Sequence, residues 1–164
     1  MRFGISDFER FDAIDGGYKG FNMSVHGALK DESELLLLED DCLFTGTIND
    51  LLAAKAQLPN DWDLLYLGAN IKAPMNRYSE RLNYLTDAWT SHAILYSNKG
   101  ADWCFKNFDP KGELIYDEWL RAVVQKMLKV FITNPMLALQ APGFSDIWGK
   151  DTNYGLKETE RYLQ

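Results

Sequence analysis

The chain has no stripe of positive charge. Its 17 Lys and Arg are scattered among 24 Asp and Glu, so no cationic surface is available to neutralise a nucleic-acid backbone. Nucleic acid is not an expected partner. Cysteine is scarce too: Cys42 and Cys104 lie far apart and form no CxxC pair, which excludes a disulfide framework and makes both read as core thiols. No run of about 18 apolar residues occurs, so no membrane-spanning helix is predicted. Residues 1–30 carry charges and glycines where a secretion signal needs an apolar stretch, and the expected location is the cytoplasm. Internal repeats and long low-complexity segments are likewise missing, which removes solenoid and disordered classes.

What is present suits a folded domain. With 164 residues, 46% of them hydrophobic and 13% aromatic, the chain is long enough to bury roughly two thirds of its unfolded surface in one core. A single domain over 1–164 is predicted, with 150–164 a peripheral polar tail. Net acidity repels anionic substrates unless a cation reverses the local field, so clustered carboxylates become the first place to look for chemistry.

Along the chain, Phe3, Phe8 and Phe11 precede an Asp15-Gly16-Gly17 turn signal, and Asn22–Leu29 suits a short helix. Leu35–Leu38 is a continuous apolar run bounded by charges, as expected of a strand buried on both faces. Thr47 or Asn49 caps a helix over 51–56, Pro59-Asn60-Asp61 stops it, and Trp62–Leu67 is a second apolar strand. Strand, helix and strand within about 35 residues predict a βαβ unit and a sheet that is at least partly parallel. Residues 72–90 suit a hairpin or loop. Ser91–Ser97 is a third strand, Asn98 caps the helix after it, and Tyr116–Leu128 shows a helical apolar face at Leu120, Val123, Val124 and Met127. Lys129–Thr133 is a further strand, ended by Asn134-Pro135.

Glu39-Asp40-Asp41 directly follows the Leu35–Leu38 strand, where open α/β sheets bind ligands. Carboxylates grouped at a strand end repel unless a cation bridges them, and Mg or Mn takes oxygen ligands that it shares with substrate phosphates. A solvated turn with a helix cap is the plainer reading of the same triplet.

Leu36-Leu37-Leu38-Glu39-Asp40-Asp41 with Phe44 resembles the LEDDxxF signature of family 25 glycosyltransferases. Phe8 to Gly16 and Trp62 to Gly68 look like that family's opening stretch and second core strand. Ser91 to Ser97 with Gly100-Ala101 is similar to its T-H-A-Y-L-I-S-x-x-G-A segment, and Gln140 to Gly149 resembles its closing Q-x-x-x-x-S-D-I-x-G. The resemblance implies a GT-A-like α/β sandwich with a mixed, partly parallel central sheet flanked by helices. It further implies Mn2+ or Mg2+, a nucleotide-sugar donor, and a glycan, lipopolysaccharide or protein hydroxyl as acceptor. Two departures stand out. Family members open with a further strand, V-x-V-I-N-L, and an Arg-rich loop ahead of the Phe8–Gly16 stretch, whereas Ser24 and His26, adjacent in the family, are separated here by Val25. Without the opening strand, the sheet is expected to begin at an exposed or replaced edge, and donor binding to be weak or to depend on self-association. A non-catalytic binding or assembly protein of the same fold, in which the missing opening strand has abolished donor binding, is the rival expectation.

Individual residues carry paired readings. Asp41, with Glu39, is the expected metal ligand, while Glu39, Asp40, His92 and Asp146 are expected against substrate. Asp117, which aligns with the family's late aspartate, is the expected base for the acceptor hydroxyl. Its alternative, shared with Glu118, is a charge at a helix start, worth about 0.3–1 kcal/mol. His92 is otherwise a satisfied core histidine and Asp146 a turn or cap residue. Among the tryptophans, Trp89 is the candidate for sugar stacking, the rest reading as packing.

Overall fold

The computed structural model describes residue 9 and residues 12–30, 34–145 and 149–152. Phe3, Phe8 and Phe11 lie outside the described residues, as does Asp146. Helix α1, Gly17–Ala28, starts five residues earlier than the apolar pattern indicated. Gly16 at φ 139° and Gly17 at φ 59° make the turn that launches it, a conformation open to glycine. The Ser24 hydroxyl receives the Ile14 N–H at 2.8 Å and donates to the Gly20 carbonyl, tying down the turn. His26 stacks on Phe105 with ring centres 4.4 Å apart. Ser24 and His26 therefore both serve the helix and its packing.

Strands β1 (Leu35–Leu38), β2 (Cys42–Phe44) and β3 (Leu64–Tyr66) come next, with α2 (Ile48–Lys55) between the last two. Thr47 caps α2 in a reciprocal box: its hydroxyl accepts the Asp50 N–H, and the Asp50 carboxylate accepts the Thr47 N–H at 3.0 Å. Four short strands then lead into α3. They are β4 (Asn70–Ile71), β5 (Asn76–Arg77), β6 (Leu82–Tyr84) and β7 (Ala88–Trp89). After them come β8 (Ala93–Tyr96) and α3 (Asn98–Asn107). The cap of α3 is Ser97, whose hydroxyl accepts the Gly100 N–H, so Asn98 is already helical. Helix α4 (Tyr116–Trp119) widens into a π-helical turn over Leu120–Val124 and closes as α5 (Gln125–Met127). That turn shifts the later residues around the axis. Leu120 and Val124 are buried, Val123 only partly, and Met127 is 69% exposed, not part of the apolar face expected of it.

The chain finishes with β9 (Val130–Thr133), β10 (Ala138–Gln140), β11 (Gly143–Ser145) and β12 (Lys150–Thr152). Residues 150–152, at the start of the segment expected to be a peripheral tail, pair with β11 in a two-stranded ribbon. The main sheet runs β1-β8-β3-β9-β6-β5. Strand β8 is antiparallel to both β1 and β3, and β3 is parallel to β9. The expected strand–helix–strand unit therefore exists with β1 and β3 pointing the same way, but β8 lies between them. The fold is α/β with a mixed, partly parallel six-stranded sheet.

Apolar alternation covers both faces. Leu35, Leu37, Tyr66, Ile94 and Ile132 pack on one side with α1, α3 and α4, and Leu36, Leu38, Leu65, Leu95 and Phe131 pack on the other with α2. Strand β1 is half-buried throughout and not fully buried as its four leucines suggested. Its side chains are covered on both faces, yet it has a neighbour on one side only among the described residues. The first face carries an aromatic group in which Trp103 stacks on Trp119 at 5.9 Å and Phe108 meets Trp119 at 5.0 Å.

Candidate functional site

The register brings the ends of β1, β3 and β9 and the starts of β8 and β6 to one end of the sheet. Glu39 follows β1, its N–H donating to the His92 carbonyl at 3.0 Å, so the β1–β8 ladder runs one residue past the strand. That contact delivers the Glu39 side chain to Ser91. The Ser91 hydroxyl lies 2.6 Å from Glu39 Oε1 and 2.5 Å from Asp117 Oδ1. Asp117 reaches it because α4 is anchored in the core: the buried Asn22 side chain of α1 donates to the Leu114 carbonyl and accepts the Tyr116 N–H, both at 2.9 Å. The Tyr116 hydroxyl meets that of Tyr96 at 3.0 Å.

A serine hydroxyl has one proton and two carboxylates flank it, so only one can receive it. The second contact is met when the other acid is protonated and donates to Ser91 Oγ. Both acids are shifted in that direction. Burial, then the Asp117 charge, raises Glu39 well above the ordinary carboxylate range, and burial, with the Asp41 and Glu118 charges, raises Asp117. Ser91 works against both shifts by hydrogen bonding.

The remainder of the triplet divides. Asp40 is exposed. Asp41 is half-buried, its Oδ2 accepting from Gln140 Nε2 at 2.9 Å and its carbonyl from the Ala141 N–H at 2.8 Å. Its pKa is raised by burial and by Asp40. Among the described residues, no ion pair includes Glu39, Asp40, Asp41 or Asp117. Burial and the Asp41 and Glu39 charges push the Cys42 thiol up to about 12, so it stays protonated and offers no thiolate.

His92 is buried at 2% exposure, with Nδ1 3.2 Å from the Thr90 hydroxyl. Burial lowers it to about 4, so it is neutral at pH 7. Its Nε2 lies by the Ala138 carbonyl without completing a hydrogen bond. Thr90, just before Ser91 and His92, holds φ 77°, rare for a β-branched residue. Gly68 closes the floor: a Cβ there would stand 1.8 Å from the Ala138 carbonyl oxygen and 3.2 Å from His92 Nε2.

The structure thus joins Glu39 to Asp117 through Ser91, keeps Asp41 close enough for its charge to act on both, and turns His92 towards Thr90. Trp89 is half-buried under the Arg121 guanidinium, 4.7 Å from its ring centre, with Arg121 also paired to Asp87. That cation covers one face of the ring. Ser91, Gln140 and Asn22 were not singled out as site residues. Ser91 stands beside His92 in the family-like segment and Gln140 opens the closing one, whereas nothing local marks Asn22.

Two buried oxygens without donors, Asp41 Oδ1 and Gln140 Oε1, border the triplet. An acidic group with bare oxygens and no paired Lys or Arg fits a hard divalent cation. Among the described residues, no three His, Cys, Asp or Glu gather where they could hold a metal ion. A cleft of about 260 Å³, lined by Thr45, Gly46, Arg81, Asn134, Met136 and Leu137, opens at the far end of the β2–β10 ribbon. Among the described residues, no helix is long and apolar enough to cross a membrane. No protein-family profile matches this chain, and no curated protein matches it.

Proposed function

We propose that the chain is a GT-A-like, metal-dependent glycosyltransferase, moving a sugar from a nucleotide-diphosphate donor to a hydroxyl of a glycan, lipopolysaccharide or protein. One observation carries the reading. Segments that resemble family 25 glycosyltransferases at separate places in the sequence supply Glu39–Asp41, Gly68, Ser91-His92 and Gln140, and these converge with Asp117 on one end of the sheet. Asp117 acts as the base. As the acceptor oxygen attacks the anomeric carbon, its proton passes to the Asp117 carboxylate and the sugar–diphosphate bond breaks, its electron pair leaving with the diphosphate. A base raised towards neutrality suits that step. Glu39, through Ser91, positions Asp117 and sets its charge. A cation held by Asp41 would supply positive charge for the departing diphosphate.

The test is titration of the chain with a panel of nucleotide-sugars, with and without manganese, followed by turnover assays. Asp117→Asn is expected to lower turnover about 100-fold or more with little change in donor affinity. Absence of binding to every donor tested in manganese overturns the reading.

A non-catalytic binding protein is the second reading, favoured by one contact: the base candidate is already engaged by Ser91 at 2.5 Å. A folded chain that neither binds a donor nor turns one over under the same conditions would select it.

A further inference from the structure

Gln140 sits in β10 opposite Cys42, alongside Asp41, and is 8% exposed. Its Nε2 donates to Asp41 Oδ2 at 2.9 Å. That bond fixes the amide, because only the N–H end is attracted to a carboxylate, and leaves Oε1 as the free end. Oε1 finds no donor, and neither does Asp41 Oδ1, although both atoms are buried. Buried acceptors are nearly always satisfied, so two bare ones on side chains already in contact call for a shared partner. Neighbouring backbone donors are committed: the Ala141 N–H to the Asp41 carbonyl and the Cys42 N–H to the Glu39 carbonyl. No Lys or Arg among the described residues pairs with the triplet.

We propose that Gln140 is a cation ligand, its amide oxygen joining the free oxygen of Asp41 around one divalent ion. This rests on the reading of Asp41 as the cation's carboxylate. An amide oxygen and a carboxylate are hard ligands of the magnesium, manganese and calcium type. One negative and one neutral ligand leave most of the coordination sphere to water and to substrate phosphate, the usual arrangement for magnesium in phosphate-handling sites. Gln140 also fixes the Asp41 carboxylate by its N–H, so one side chain both orients the acidic ligand and contributes a second.

The experiment is manganese binding to the full chain without nucleotide, read from the paramagnetic signal of free manganese, for the wild type, Gln140→Met, Gln140→Glu and Asp41→Asn. Gln140→Met keeps length and volume but has no oxygen, and is expected to weaken binding about 10–100-fold. Gln140→Glu is expected to bind at least as tightly as the wild type and to gain more thermal stabilisation from manganese, because it adds ligand charge. Weakening in Asp41→Asn together with wild-type binding in Gln140→Met overturns the role of Gln140 alone. No change in either variant, or no manganese binding by the wild type, overturns the cation site as a whole. If Gln140→Met does not fold, Gln140→Glu decides: weaker binding than the wild type overturns the proposal.

Discussion

The two ends of the sheet handle buried acid in opposite ways. At the start of β3, Asp63 is 1% exposed and has a cation beside it: Lys99 Nζ lies 2.8 Å from Oδ1 as an ion pair without hydrogen-bond geometry, and the Lys129 N–H donates to Oδ2 at 2.8 Å. At the other end, Glu39, Asp41 and Asp117 share one serine hydroxyl and one glutamine amide, with no Lys or Arg paired to them among the described residues. Asp63 ties β3 to the start of β9 and to α3, which is the work of a structural acid. The second group is arranged at a cost in stability that its internal hydrogen bonds only partly offset. These acids, without a paired cation, are the ones on which the proposed function rests.

The largest effect is expected where the second end relies on close backbone approach. Gly68→Ala would set a Cβ 1.8 Å from the Ala138 carbonyl oxygen, and separating β3 from β10 should cost about 3 kcal/mol, read by denaturant unfolding. A loss under about 1 kcal/mol would show that β10 can move away from the floor of the site.

Asp63→Ala comes next, with an expected loss of about 1–3 kcal/mol, because the Lys129 N–H is left without its acceptor. Lys99→Ala, which removes only the 65% exposed partner, should cost about 0.2–1 kcal/mol. Equal losses in the two variants would mean that the ion pair, and not the backbone contact, stabilises that end.

Glu39→Gln has the opposite sign. A carboxyl raised on folding binds more protons in the native state than in the unfolded one, so its contribution falls as pH rises from about 4 through neutrality. His92, lowered to about 4, acts in reverse and favours the folded state increasingly as pH rises towards about 6.5. The metal-free wild type should therefore lose stability on the alkaline side of its optimum. Glu39→Gln should flatten that limb and gain on the order of 1 kcal/mol at pH 8. An unchanged alkaline limb in thermal melts with chelator present would remove Glu39 as its source.

The comparison also explains what the sequence made legible. The strands at 64–66, 93–96 and 130–133 are short apolar runs between polar breaks, and a central strand imposes that composition wherever its neighbours come from. Helix α2 was marked by Thr47 and Asp50, three residues apart. Strand order was hidden. Placing β8 between β1 and β3 depends on contacts across some 60 residues in the case of Leu36 and Leu95, which no local pattern encodes. The acidic triplet was visible as composition, but its division into an exposed Asp40, a Gln140-bound Asp41 and a Ser91-bound Glu39 arises from tertiary partners 99 and 52 residues away. Likeness and helix position mark Asp117 in the sequence, and neither signal indicates that a glutamate shares its serine. The π-helical turn that moves Met127 outward also escaped the pattern, because an extra residue per turn leaves the apolar spacing looking regular.

The stacked indoles of Trp103 and Trp119 give the site an optical handle. Their rings lie 5.9 Å apart at 24° to each other, close and fixed enough for their transitions to couple and give a two-signed band in circular dichroism. Trp119 stands two residues beyond Asp117, and Trp103 belongs to the separate helix α3. The amplitude of that band therefore reports whether the backbone carrying Asp117 remains docked, without any label. A variant or titrant that leaves the band intact has acted on the acids alone, and one that abolishes it has moved their support.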